Sequence, residues 1–132
     1  MTEPDPIRVG LDLVLISRVK KSYEKRPCLF IKRFFSKDEA AYCLSASGPR
    51  RKLECLAGRI AAKEAVMKVL GRGWPQVPWT DIEILHDDLK RPFARLRGKA
   101  LSFMEELNLG CIQISITHDG QIAAAVAVGV SR

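Results

Sequence analysis

Two carboxylates, a histidine and several lysines define the chemistry this chain could carry. Asp12 stands in an early alternating stretch, Glu64 in a mid-chain Ala-rich segment between Lys63 and Lys68, and His118 at the tip of a late turn. Magnesium prefers hard oxygen ligands, keeps several waters, and is held by one or two carboxylates plus the phosphates of its substrate. Asp12 and Glu64 would supply that pair, and Lys63 and Lys68 would offset the remaining phosphate charge, which favours a phosphate-containing substrate over a structural metal. The chain has no P-loop and no GxGxxG motif. Side chains and metal would therefore hold the phosphates, in place of a glycine-rich cradle of backbone donors. Each residue also has a plainer reading. Asp12 could face solvent from a half-exposed sheet, although an acid is disfavoured in a strand. Glu64 could simply pair with Lys68 four residues on. His118 keeps the parity of the preceding isoleucines and could be a hydrogen-bonded core or turn histidine.

The elements that must position these groups are legible as periodicities. Arg8–Val14 alternates and is rich in Val and Leu, which predicts a strand with Gly10, Asp12 and Val14 on one face. Ile16–Arg26 reads as a helix ended by Pro27, and Ser36-Lys37-Asp38-Glu39 is a capping box opening a second short helix through Leu44. A long helix is expected from about Arg51 to Leu70, stopped by Gly71. Its small and apolar residues (Leu53, Leu56, Ala57, Ile60, Ala61, Ala65, Val69) form one core-facing stripe flanked by Arg59, Lys63, Glu64 and Lys68. The lack of bulk at Ala57, Gly58, Ala61, Ala62 and Ala65 lets another backbone approach closely, and Gly58 costs the helix about 1 kcal/mol relative to Ala. Thr80–His86 and Pro92–Leu96 read as a hairpin, Gly98–Leu107 as a helix, and Cys111–Thr117 and Ile122–Val130 as strands joined by a tight turn at His118–Gln121. The small residues of the last strand suit packing beneath the Ala-rich helix.

Composition narrows the class. A chain of 132 residues with 47% hydrophobic content fits one compact domain, 1–132, with residues 1–6 expected as a flexible tail. The longest apolar run, Ile122–Val130, is too short to span a bilayer and the N-terminus has no signal-peptide pattern, so a cytoplasmic protein with no membrane partner is expected. Cys28, Cys43, Cys55 and Cys111 are widely spaced without a CxxC pair, which predicts reduced, mostly buried thiols. The formal net charge is +7, and Arg8–Arg33 holds eight basic side chains against Asp12 and Glu24; an acidic partner should dock there. A basic nucleic-acid-binding module is the alternative raised by this charge. Aromatic residues are only 7% and do not interleave with the basic cluster, so the stacking platform such a module needs is missing and no nucleic-acid partner is expected.

The motifs resemble the holo-[acyl-carrier-protein] synthases, the short class of 4′-phosphopantetheinyl transferases, over nearly the whole chain. Val9-Gly10-Leu11-Asp12-Leu13-Val14 is similar to that family's first strand, Ile16-Ser17-Arg18-Val19 to the start of its first helix, and Arg33-Phe34-Phe35-Ser36-Lys37-Asp38-Glu39 to its next segment. The most specific likeness is Leu56-Ala57-Gly58-Arg59-Ile60-Ala61-Ala62-Lys63-Glu64-Ala65, followed in order by Asp81-Ile82-Glu83-Ile84, Arg91-Pro92 and Ser115-Ile116-Thr117-His118. The resemblance implies an α+β fold with a long Ala-rich helix on a small, mainly antiparallel sheet. It implies transfer of 4′-phosphopantetheine from coenzyme A to a serine of an acidic apo acyl carrier protein, releasing adenosine 3′,5′-bisphosphate. It further implies Mg²⁺ on Asp12 and Glu64, with Glu64 or a metal-held water deprotonating the serine. Lys68 would offset charge on the leaving group. Arg59, Lys63 and His118 would line the coenzyme A site, His118 reaching the nucleotide from a neighbouring subunit of a homotrimer with sites at its boundaries. Arg18 would grip the carrier. Leu15 stands where the family usually has an acid, Asp119 where it more often has Ser or Thr, and Ile122 where it has an aromatic. A catalytically silent carrier-binding homologue is the reading that Leu15 and Asp119 would support.

Overall fold

The computed structural model describes residues 6–132. Of the expected six-residue tail, Met1–Asp5 lie outside the described residues, whereas the Pro6 carbonyl accepts a hydrogen bond from the Ser131 amide at 3.0 Å. In chain order the elements are β1 (Ile7–Leu15), α1 (Ile16–Lys25), α2 (Pro27–Phe34), α3 (Lys37–Leu44) and α4 (Pro49–Leu70), then a 3₁₀ turn (Trp79–Asp81), β2 (Ile82–His86), β3 (Pro92–Leu96), α5 (Gly98–Glu106), β4 (Leu109–Asp119) and β5 (Ile122–Ser131). A three-stranded antiparallel sheet, ordered β1-β5-β4, and the separate β2-β3 hairpin accompany the five α-helices. The fold is therefore α+β and single-domain, as the resemblance implies.

Helix α4 packs on the sheet through small residues on both sides. Ala125 and Ala127 of β5 are buried beneath it in the same core as Ala61, Ala62 and Ala65, and Ala123 is buried in the second cluster with Ala57 and Ile60. A Cβ on Gly10 would collide with the Ala65 carbonyl, so β1 can approach the helix this closely only because position 10 has no side chain. The approach brings Asp12, two residues further along the same strand face, over the last turns of α4. Gly71 ends the helix at φ 72°, with its amide bonded to the Lys68 carbonyl.

Three features depart from the sequence-based expectation. Pro27 does not only end a helix; it opens α2. Proline at the first helical position loses no intrahelical bond, and Phe30 and Phe34 give the new helix an aromatic face against Phe35 and Trp79. Helix α4 is buried on more than one stripe, since every residue from Leu56 to Lys63 is buried, because α3 and β2 cover the side away from the sheet. The expectation of four reduced, mostly buried thiols fails as well. Cys43 and Cys55 form a disulfide between α3 and α4, and Cys28 and Cys111 are exposed. No described helix is long and apolar enough to cross a membrane.

The outer face of the sheet is apolar and open. On β1, Ile7, Val9, Leu11 and Leu13 are each 58–64% exposed, and the pairing Leu11↔Val126 and Val9↔Val128 continues the patch onto β5.

Candidate active site

Asp12 and Glu64 converge. The strand alternation that turns Leu11 and Leu13 outward turns Asp12 inward, where its Oδ1 accepts a hydrogen bond from Lys68 Nζ at 3.2 Å. Lys68 Nζ also donates to the Leu11 carbonyl at 2.7 Å, which fixes the ammonium over the strand. Lys68 is thus the partner of Asp12, and its proximity to Glu64 is secondary to that bond. Burial, a hydrogen bond with Asp12 and the Asp12 charge together raise the Glu64 carboxyl to about 7, with Lys68 opposing the rise. Asp12 Oδ2 is buried and meets no donor.

An orphaned carboxylate oxygen beside a second carboxyl that holds its proton near neutrality fits a small hard cation, which would satisfy both at once. Among the described residues no third His, Cys, Asp or Glu joins them into a larger cluster. Water and substrate phosphate would complete such a shell, which is the habit of Mg²⁺ and not of a dedicated structural site.

Glu64 and Trp79 stand between two cavities. One, of about 370 Å³, is bounded by Leu13, Leu15, Arg18, Phe34 and Ile60; the other, of about 520 Å³, by Met67, Lys68, Arg72 and Trp74. Arg18 is exposed on α1 at the rim of the first, so a partner gripping Arg18 would reach the acidic pair through that opening. Leu15 occupies the N-cap position of α1 in the extended conformation a cap requires, yet offers no side-chain acceptor.

Arg59 and His118 meet in a third cavity, of about 650 Å³, together with Tyr42, Glu54, His86 and Lys90. Arg59 is only 3% exposed, and its guanidinium is fixed on three sides. It donates to Cys55 Sγ at 3.1 Å and contacts His86 Nδ1 at 3.0 Å, and it lies 4.6 Å from the centre of the Tyr42 ring. Tyr42 in turn stacks on His86 with ring centres 4.5 Å apart. Burial and the Arg59 charge hold His86 below the usual imidazole range, so it is the neutral acceptor that the guanidinium needs. His118 is half-exposed, its Nδ1 3.5 Å from Glu54 Oε2; Arg50 ties the turn after His118 to α4 by donating to the Gly120 carbonyl and to Glu54. Asp119 is exposed at the end of β4, paired with Ile122.

Lys63 is not among the cavity residues. Its side chain is 0% exposed, and its ammonium donates to Glu39 Oε1 at 2.8 Å and to the carbonyls of Trp79 and Ile82. An ammonium has three donors and all three are spent, so the expectation that Lys63 lines a phosphate site is corrected: it is a buried structural charge. Sequence reasoning also missed Glu39, Tyr42 and His86. Glu39 was visible as the N3 member of the capping box, and its Oε1 does accept from the Ser36 amide, but nothing local marks its pairing with Lys63 24 residues later. Tyr42 and His86 carry no sequence signal; they matter because the fold brings them to Arg59.

Residues 8–127 match the family model described as the 4′-phosphopantetheinyl transferase superfamily. A holo-[acyl-carrier-protein] synthase of Natranaerobius thermophilus is 41% identical over 122 residues, spanning 92% of this chain and 95% of that protein. The crystal structure of holo-ACP-synthase from Plasmodium yoelii is 30% identical with a TM-score of 0.82 and covers 97% of both chains. That of Helicobacter pylori holo-[acyl-carrier-protein] synthase in complex with coenzyme A is 30% identical with a TM-score of 0.79, over 92% of this chain and 98% of the other. With the family model, the sequence identity and the fold in agreement, the chain belongs to the holo-[acyl-carrier-protein] synthase family of 4′-phosphopantetheinyl transferases.

Proposed function

We propose that this protein transfers 4′-phosphopantetheine from coenzyme A to a serine of an acidic apo acyl carrier protein in the cytoplasm, with Mg²⁺, releasing adenosine 3′,5′-bisphosphate. The observation that carries the reading is the buried, donorless Asp12 Oδ2 beside a Glu64 carboxyl raised to about 7. Asp12 and Glu64 would hold the cation, which when bound offsets the pyrophosphate charge and so lowers the cost of bringing two acids and a substrate anion together. Glu64, or a water held beside it, accepts the proton of the carrier serine, whose hydroxyl oxygen then bonds to the β-phosphorus as the bond to the bridging oxygen breaks. Lys68, anchored on the Leu11 carbonyl, faces the charge that builds on the departing bisphosphate. Arg18 receives the acidic carrier, and the Arg59–His118 cavity takes the nucleotide end of coenzyme A.

The open apolar face of β1 and β5 supports a homotrimer with sites at its boundaries. A contiguous patch of large aliphatic side chains is what one protomer presents to another.

The test is to mix the protein with apo carrier protein, coenzyme A and Mg²⁺ and follow the carrier by intact-mass spectrometry. One phosphopantetheine should be added, with Asp12→Ala and Glu64→Ala each slowing the reaction by at least about 100-fold, the low end of what a positioned base contributes. No mass gain on any apo carrier, or unchanged rates in both variants, refutes the reading. Sedimentation should give a species three times the chain mass.

A further inference from the structure

The Cys43–Cys55 bond has no part in the transfer, yet it sits on the nucleotide cavity. The two Cα atoms are 5.4 Å apart, within the span a disulfide bridges, and the bond joins α3 to α4 where each contributes to the Arg59 stack. Cys43 adjoins Tyr42, whose ring covers the guanidinium. Cys55 lies one helical turn before Arg59, and its sulfur accepts the Arg59 hydrogen bond at 3.1 Å. The two sulfurs also differ in access. Cys43 is fully buried in the core beside Leu56 and Phe30, whereas Cys55 is half-buried and lines the cavity wall. A small thiol or disulfide can therefore reach one sulfur of the pair and not the other. Disulfides in a reducing compartment are characteristically transient, catalytic or redox-sensing.

We infer that Cys43 and Cys55 are a reversible redox pair, and that its reduction sets a Cys55 thiolate against Arg59 and weakens the cavity's hold on phosphate-bearing nucleotides. A sulfur in a disulfide is a neutral, weak acceptor, so in the oxidised state the Arg59 charge is not cancelled by Cys55. A guanidinium at hydrogen-bond distance favours the thiolate once the bond is broken, and the new negative charge then offsets Arg59. The other charged or titratable groups lining the cavity besides Arg59 itself (Tyr42, Arg51, Glu54, His86, Lys90 and His118) take no part in the exchange, so the net charge presented to an anion falls by one.

Oxidation needs a low-molecular-weight disulfide such as glutathione disulfide. The Cys55 thiolate attacks one of its sulfurs and expels the first glutathione thiolate. Cys43, giving its proton to solvent, then attacks Cys55 Sγ and expels the second, so two protein thiols are oxidised and one disulfide is reduced to two thiols. Glutathione in excess reverses both steps, entering at Cys55.

The binding consequence rests on the proposed nucleotide cavity; the existence of the pair does not. The experiment equilibrates the intact protein with glutathione disulfide or with excess glutathione, quenches exchange with acid, unfolds the protein so that the buried Cys43 is accessible, alkylates it, and counts added groups by mass. The expected counts are two in the oxidised protein, at the exposed Cys28 and Cys111, and four in the reduced protein. Four in both states, or two in both, overturns the pair. Calorimetric titration with adenosine 3′,5′-bisphosphate should then show binding weakened about fivefold to tenfold on reduction, the scale of one partly screened unit charge. Cys43→Ser, which leaves a lone Cys55 thiol, should bind like the reduced protein without any reductant. The double variant Cys43→Ser/Cys55→Ser, with no thiolate to form, should bind like the oxidised protein in both conditions. Equal affinity in the two redox states refutes the switch, as does a double variant that binds like the reduced protein, because the bond would then act only as a staple. Absence of nucleotide binding in either state refutes the cavity's assignment, and with it the switch, while the alkylation count still stands for the pair.

Discussion

Replacing Lys63 with methionine separates two roles that one ammonium cannot fill together. In the structure Nζ is sealed from solvent with each of its donors committed, and the Glu39 carboxylate it meets is equally buried. Glu39 has other obligations: Oε1 accepts from the Ser36 amide at 3.0 Å and Oε2 from the Ile84 amide at 2.9 Å, so it cannot swing out to water without abandoning the α3 cap and the start of the hairpin. Methionine fills similar space but strands a charge in the core. Breaking a buried ion pair by removing one partner costs about 3–5 kcal/mol. At about 2.1 cal/mol/K per residue, 132 residues unfold with roughly 0.28 kcal/mol/K, so the melting temperature should fall by about 11–18 °C.

The assay is a thermal melt followed by circular dichroism, paired with calorimetric titration of coenzyme A well below the variant's melting temperature. The expected outcome is a large loss of stability with coenzyme A affinity within about twofold of the parent. Glu39→Gln in the Lys63→Met background keeps a carbonyl acceptor for the Ile84 amide and removes the stranded charge. It should recover part of the loss, with a coupling of roughly 2 kcal/mol between the two sites. A melting temperature lowered by less than about 4 °C together with a tenfold loss of coenzyme A affinity would refute this reasoning, because it would mean that the ammonium turns to phosphate in solution.

Three other outcomes are expected. Arg18→Glu should raise the KM for the carrier protein on the order of tenfold while leaving coenzyme A affinity unchanged, since the side chain is exposed at the rim of the opening to the acidic pair; equal effects on both substrates would remove Arg18 from the docking surface. Leu15→Asp should stabilise the protein by about 1 kcal/mol, seen as a melting temperature raised by roughly 3–4 °C, because it supplies the missing cap of α1 and gives up a side chain already 42% exposed. In the metal-free protein the Glu64 carboxyl should titrate by carbon-13 NMR near 7 and move down in Asp12→Asn. Its folded value lies above the ordinary 4.5, so its contribution to stability is fully present below pH 4.5 and is lost as pH rises through 7; a midpoint near 4.5 would refute the pairing of the two acids.

The acidic pair was legible because each half left a local trace. Strand alternation puts Gly10 and Asp12 on one face, and the small residues of the Ala-rich helix announce a close approach without naming what approaches. The structure supplies the answer, the β1 backbone at Gly10 against Ala65. Helix α2 was hidden because proline reads equally as the end of one helix and the first residue of the next; only the packing of Phe30 and Phe34 decides between them. The disulfide was hidden because spacing cannot say which of four cysteines meet. Cys43 and Cys55 sit 12 residues apart on different helices, and the turn between those helices is what brings them together.

The misplacement of Lys63 has a more general cause. A single apolar stripe on a helix implies one dry side and one wet side, and charges flanking the stripe are then assigned to water or ligand. Helix α4 is instead enclosed between the sheet and the layer made by α3 and β2, so the flanking charges have two different surroundings. Successive residues point about 100° apart around a helix. That rotation carries Lys63 into the sealed side, where Glu39 and two carbonyls meet it, and carries Glu64 onto the cavity side, where Asp12 meets it. Adjacent charges in one motif thus divide the work: the lysine fixes the layer that closes over the helix, and the glutamate uses the helix so fixed to face the strand carboxylate. A change at position 63 should then lower activity only as far as it unfolds or shifts α4, whereas a change at position 64 should abolish activity in a protein that melts normally.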